Sequence, residues 1–170
     1  MPQTSGDIRY LKLEADGRAS APVVFLSTPA SEQAPKLSPD SRFVVYMSNE
    51  SGRNEIYVRP FPEGAGKWQA SADGGEKPRW SRDGTELFYV QGTSLMAVPV
   101  SANAQAVVLG QPQQLFESSD LLQIRSTPSY DISADGKRLV LVAPEQVEES
   151  APPKIRIVQN WYEEFRGRDQ

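Results

Sequence analysis

The sequence contains neither cysteine nor histidine. Their absence excludes disulfides, thiolate and imidazole metal sites, cysteine nucleophiles, and any Ser-His-Asp or Cys-His relay built from this chain alone. Basic charge is also in short supply. Lys and Arg number 18 against 22 Asp and Glu, a net charge of -4 with no local basic block, so nucleic acid is not an expected partner. No stretch approaches the ~18 consecutive apolar residues of a membrane helix. Met1 to Asp7 has neither the charged nor the apolar region of a signal peptide. The expectation is a chain that inserts in no membrane by itself and is either cytoplasmic or exported by a signal lying elsewhere. Its 38% hydrophobic and 24% charged residues fit one ordinary globular domain or slightly more.

What the sequence does have is a recurring turn. Pro35-Lys36-Leu37-Ser38-Pro39-Asp40-Ser41, Pro78-Arg79-Trp80-Ser81-Arg82-Asp83-Gly84 and Tyr130-Asp131-Ile132-Ser133-Ala134-Asp135-Gly136 share an apolar residue, Ser, any residue, Asp, then Gly or Ser. Their serines are spaced by 43 and 52 residues. Each copy is followed by a β-rich run: Phe43 to Met47, Leu87 to Val90, and Leu139 to Val142. A further strand follows each, at Ile56 to Val58, Leu95 to Val100 and Ile155 to Val158. Shorter fourth strands are expected at Trp68 to Ser71 and Gln113 to Phe116, with Val23 to Leu26 their equivalent in a leading blade. Ser and Asp oxygens can accept from nearby backbone N–H groups, and Gly tolerates positive φ, so the motif predicts a tight hairpin between the first two strands. Ser41 stands where the second and third copies have Gly, which predicts a slightly different turn there.

Antiparallel units of four strands and roughly 40 to 45 residues, with no helical period between them, read as β-propeller blades. The fold class expected is all-β: blades of four-stranded antiparallel sheets in a partial ring of roughly three to four blades. The segments are 1–30 for the end of a leading blade, 31–72 and 73–117 for complete blades, 118–160 for the last blade, and 161–170 for a tail. About thirteen strands follow from this reading, where four blades would need about sixteen. A sheet that lacks strands has an adhesive edge, so the chain is expected to meet upstream blades of the same polypeptide or to close its ring as a homodimer.

These residues resemble the TolB-like, WD40-like PD40 propeller repeats, whose motif is a Pro, an aromatic, then Ser-Pro-Asp-Gly. Leu37-Ser38-Pro39-Asp40 and Trp80-Ser81-Arg82-Asp83-Gly84 match best; Leu37 and Ile132 replace the aromatic, and Arg82 and Ala134 the Pro. The ending Ile157 to Phe165 is similar to the tail of propellers attached to bacterial Ser/Thr protein kinases. The resemblance implies a module that recognises proteins or small ligands with one loop face, often outside the cytoplasm or attached to a signalling domain.

In a four-stranded meander the Ser-x-Asp-Gly turns share one end. The other end receives Thr28 to Pro35, Asn49 to Arg53, Ala72 to Pro78, Gln91 to Ser94, Glu117 to Ser129 and Pro144 to Lys154. Loops on a rigid scaffold are where binding residues gather. The candidate ligand-binding residues are Glu76, Lys77, Arg79 and Asp131, beside the innermost strands; a solvated rim is the plainer alternative. No catalytic residue, metal ligand or cofactor is expected.

Other motifs reduce to structure. Gly64-Ala65-Gly66-Lys67 lacks the first Gly and the final Ser/Thr of a phosphate loop. Asp73-Gly74 and Asp135-Gly136 lack the alternating acids of a calcium loop. Asn49-Glu50-Ser51 fits a glycosylation acceptor but also a turn. Glu145, Glu148 and Glu149 read as solvated. Tyr57, Trp80, Phe88 and Phe116 read as filling between sheets, and Trp161 and Phe165 as one side of a helical tail. The expected function is a non-catalytic scaffold for protein or small-ligand binding. Its competitors are an accessory propeller gating a prolyl oligopeptidase-like domain elsewhere in the parent chain, and a propeller glycosidase with its own carboxylates.

Overall fold

The computed structural model describes residues 6–63, 65–103, 106–121, 130–133, 138–142 and 155–159. The chain divides into two compact units, Met1–Pro78 and Arg79–Gln170. Fourteen strands are described, against about thirteen expected.

In the first unit β1 (Ile8–Tyr10) pairs antiparallel with β2 (Val23–Leu26). The next four strands, β3 (Glu32–Leu37), β4 (Phe43–Ser48), β5 (Glu55–Pro60) and β6 (Trp68–Gln69), form an antiparallel meander in chain order. Val44, Tyr46 and Tyr57 pack onto Ile8 and Leu26, so one face of this meander lies against the leading sheet. All six residues of β4 are buried. A strand covered on both faces needs no polar alternation, which is why Phe43-Val44-Val45-Tyr46-Met47 is continuously apolar.

Strand β7 (Glu76–Trp80) leads into the second unit, where it joins β8 (Glu86–Gln91) and β9 (Ser94–Ala102). Strands β10 (Val107–Leu109) and β11 (Gln113–Glu117) both pair with β9, and a 3-10 turn follows at Ser119–Leu121. The last sheet is β12 (Tyr130–Ile132), β13 (Arg138–Val142) and β14 (Ile155–Gln159). Phe88, Val90, Leu95, Ala97 and Leu115 pack on Tyr130, Leu139 and Leu141, joining these two sheets face to face. Phe88 and Phe116 thus fill between sheets as expected, and Tyr57 does so in the first unit. Strand β13 alternates instead: Leu139 and Leu141 are buried while Val140 and Val142 are exposed.

Strand β10 is the element the sequence reading missed. β9 runs nine residues, and its pairing with β8 stops at Pro99. The overhang Val100 to Ala102 finds its partner in β10, through a turn in which the Ala106 N–H donates to Asn103 Oδ1.

The shared turn repeats atom for atom where it is described. The Ser38 N–H donates to the Phe43 carbonyl and the Phe43 N–H to Ser38 Oγ, at 2.8 and 3.0 Å. Ser81 and Glu86 make the same pair at 2.9 and 2.9 Å, and Ser133 and Arg138 at 2.8 and 2.9 Å. Ser38 Oγ donates to Asp40 Oδ1 at 2.6 Å, as Ser81 Oγ does to Asp83 Oδ1 at 2.7 Å. One expectation is corrected here. Ser41 does not use a different turn: it adopts φ 58° where Gly84 has φ 74°, and its N–H reaches the Ser38 carbonyl as that of Gly84 reaches the Ser81 carbonyl. The surrounding hydrogen bonds dictate the left-handed geometry, and the serine accepts the strain. The tip of the third turn, the loops 122–129 and 143–154, and the tail with Trp161 and Phe165 lie outside the described residues.

Candidate functional site

The loop end of the β3–β6 meander carries a row of buried polar side chains. Glu32, Ser48 and Glu55 are register partners across β3, β4 and β5, so they share one face of the sheet. Ser71 extends the row by donating its hydroxyl proton to Glu55 Oε2. All four are buried, although row positions further along the same face, Tyr46 and Tyr57, are aromatic and stack at 5.8 Å. A buried carboxylate must be met by donors: Glu55 is met at both oxygens, whereas Glu32 is met at Oε1 alone and its buried Oε2 has no partner among the described residues. Thr28 donates to Glu32 Oε1. Glu55 Oε1 accepts from Arg53 Nε at 2.7 Å and from the Gly74 N–H at 2.9 Å.

Arg53 is the outward member of this network. Its Nη2 donates to the Ala72 carbonyl and, at 3.3 Å, to Asp73 Oδ1. The side chain is 56% exposed, and the hydrogen bond to Glu55 is the main reason its pKa lies above the usual arginine value. Ser71 also accepts the Ile56 N–H at 2.7 Å, and the Gly75 N–H donates to the Asn54 carbonyl at 2.9 Å. Gly75 is required for close approach: a Cβ there would lie 2.6 Å from Ile56 Cγ1 and 2.8 Å from Ser71 Oγ. Ser51, Gly52, Arg53, Glu55, Gln69 and Ala72 line an open cleft of about 350 Å³ between the β4–β5 and β6–β7 loops. The Asn49 carboxamide accepts the Ser31 N–H at 2.8 Å and ties a third loop to the same end.

The candidate residues from sequence fall in two separate local settings. Glu76 Oε1 accepts from Asn54 Nδ2 at 3.2 Å, which puts Glu76 beside the loop that builds the cleft. Lys77 takes φ 55° and is half-buried, and burial lowers its pKa. The Arg79 guanidinium lies 5.9 Å over the ring of Tyr130, whose phenol is pushed above its usual pKa by burial. Asp131 is exposed and accepts the N–H of Ile132 at 2.9 Å. Sequence reasoning missed Arg53, Glu55 and Gln69. The available signal was a Glu placed directly before the apolar run Ile56-Tyr57-Val58, facing Ser71 and the Gly74-Gly75 pair in the next loop.

Among the described residues no three acidic side chains are grouped to hold a metal ion, and no helix is long and apolar enough to cross a membrane. The Lys67 ammonium that a phosphate loop would use instead pairs with Glu50 and sits 5.1 Å over the Tyr57 ring.

No protein-family model and no curated protein matches the chain. Among solved structures it is similar to the tricorn protease, at 12% identity and TM-score 0.51 over 80% of this chain and 12% of that one. It is also similar to TolB from Acinetobacter baumannii, at 18% identity and TM-score 0.43 over 94% of this chain and 48% of that one. The β-propeller domain of the Trilobed protease from Pyrococcus furiosus gives 15% identity and TM-score 0.41 over 92% and 67%. The chain therefore spans 12% and 48% of the first two proteins. The repeated antiparallel meanders and their shared Ser-x-Asp turns give the fold: β-propeller blades.

Proposed function

We propose that this propeller module is a non-catalytic scaffold that binds a protein or small ligand at the loop end of its blades. The observation that carries the reading is the contrast between the two ends of the meander. At the turn end the polar groups satisfy each other: Asp40 takes Ser38, the Arg42 N–H and Arg42 Nε, and Asp83 takes Ser81 and Thr85. At the loop end a fixed guanidinium faces an open cleft, with Asn54 and Glu76 beside it. Its carboxylate partner, Glu55, is fully engaged by Arg53, Ser71 and Gly74, so it supports the cleft and is not poised as an acid or base. Such a site holds a molecule without making or breaking a bond.

The test is retention of the immobilised protein on peptide and glycan arrays. Retention lost in Arg53→Ala and kept in Asp40→Asn supports loop-end binding. Retention lost only in Asp40→Asn, or turnover of a peptide or glycoside substrate that disappears on one carboxylate substitution, overturns it.

A further inference from the structure

The cleft also states what class of ligand it fits, an inference that rests on the loop-end reading above. Arg53 uses Nε on Glu55 and Nη2 on Ala72 and Asp73, which leaves Nη1 with its protons directed to no acceptor among the described residues. Gln69 donates its side-chain Nε2 to the Ser71 carbonyl at 2.7 Å. A carbonyl can only accept, so this bond fixes the carboxamide orientation and leaves Gln69 Oε1 as an acceptor that no donor among the described residues uses. Both residues line the same cleft. One donor and one acceptor, each held in place by its remaining bonds, are the complement of one residue of an extended chain, whose own N–H and C=O face the same side of the strand.

Charge narrows the choice. Glu55 and Asp73 both contact the Arg53 guanidinium, and Glu76 stands beyond Asn54, so the cleft offers no surplus positive charge to a carboxylate or phosphate. Gln69 also belongs to β6, the end strand of its sheet, where an extended chain meets a strand edge. We propose that the cleft binds the uncharged main chain of an extended peptide, with Arg53 Nη1 donating to a peptide carbonyl and Gln69 Oε1 accepting a peptide N–H.

Hydrogen–deuterium exchange read by mass spectrometry tests this on the full chain, because it compares free and bound states at equal protein concentration. The probe is acetyl-tetraalanine-amide at millimolar concentration, with acetate and inorganic phosphate as controls. Slowed exchange confined to segments 49–55 and 69–75 is expected with the peptide and not with either anion. Gln69→Met, which keeps the length but removes the acceptor, is expected to raise the peptide concentration needed for half-protection about fivefold, as loss of one neutral hydrogen bond implies. Arg53→Lys, which keeps the charge but not the forked donor, is expected to do the same. Protection by the anions and not by the peptide overturns the peptide proposal and leaves loop-end binding standing. Peptide protection at the Ser-x-Asp turns alone overturns both.

Discussion

Arg53 Nε and Glu55 Oε1 lie 2.7 Å apart, joining a half-exposed guanidinium to a carboxylate that is 1% exposed. The pair links the surface of the loop end to the buried row Glu32, Ser48, Glu55 and Ser71. Its effects on stability and on binding are therefore separable by mutating one end or the other.

Glu55→Gln keeps the volume but offers the Arg53, Ser71 and Gly74 donors a neutral amide in place of two charged acceptor oxygens. The loss expected is about 1–3 kcal/mol, the range for leaving buried partners poorly met. Urea unfolding followed by circular dichroism measures it. A change within error of zero would show that the network adds nothing to the fold.

Ser41→Gly is expected to stabilise the chain. Ser41 sits at φ 58° in a turn whose second copy already carries Gly84 at φ 74°. Relief of the left-handed strain, less the added freedom of the unfolded chain, leaves a gain of about 0.5–1 kcal/mol. The reverse change, Gly84→Ser, is expected to cost a similar amount, and both are read from thermal midpoints.

Acid sensitivity follows from the same turns. The hydrogen bond from Ser38 holds the Asp40 pKa down at about 2, helped by Arg42, and Ser81 and Thr85 lower that of Asp83. A carboxylate whose folded pKa is below its unfolded value, about 3.9, contributes stability above that value and loses it as pH falls toward the folded pKa. Stability is expected to decline between about pH 4 and pH 2, and Asp40→Asn to flatten that limb. Both carboxylates are largely exposed, so solvent screening keeps each contribution below about 1 kcal/mol. An unchanged acid limb in Asp40→Asn combined with Asp83→Asn would remove the assignment.

The chain is expected to self-associate. Val140 and Val142 are 44% and 58% exposed on the outer face of the last sheet, and in the first sheet Val23 and Val24 are 41% and 52% exposed. Strands β4 and β8 show what these blades do with apolar faces, since their central residues are buried on both sides. Sedimentation velocity is expected to give concentration-dependent association that Val140→Asp and Val24→Asp together reduce. A cooperatively melting monomer at all concentrations would count against it.

The sequence carried the turns because their chemistry is local. Ser38, Asp40, Ser81 and Asp83 bond within five residues of themselves, and short-range partners are visible as spacing. The apolar runs behind β4, β8 and β13 were readable for the same reason. Strand β10 was not, because Val107 to Leu109 is a strand only by virtue of the overhang of β9, and that length is set by pairing. Nor was the cleft, since Glu55 is one acid among 22 until strand register places it beside Ser48 and folds the 70–75 loop over it.

From its amino acids alone this protein determined its repeated hairpins, its freedom from histidine and thiol chemistry, and its all-β architecture, because each depends on residue type and nearest neighbours in the chain. Tertiary structure decided which polar side chains are buried and which nitrogen of Arg53 and oxygen of Gln69 are left to face solvent. The Gln69 and Arg53 Nε bonds join residues two apart, but the partners that bury Glu55 and occupy Arg53 Nη2 lie some 16 to 20 positions away, and only the packed sheet brings them within hydrogen-bonding distance.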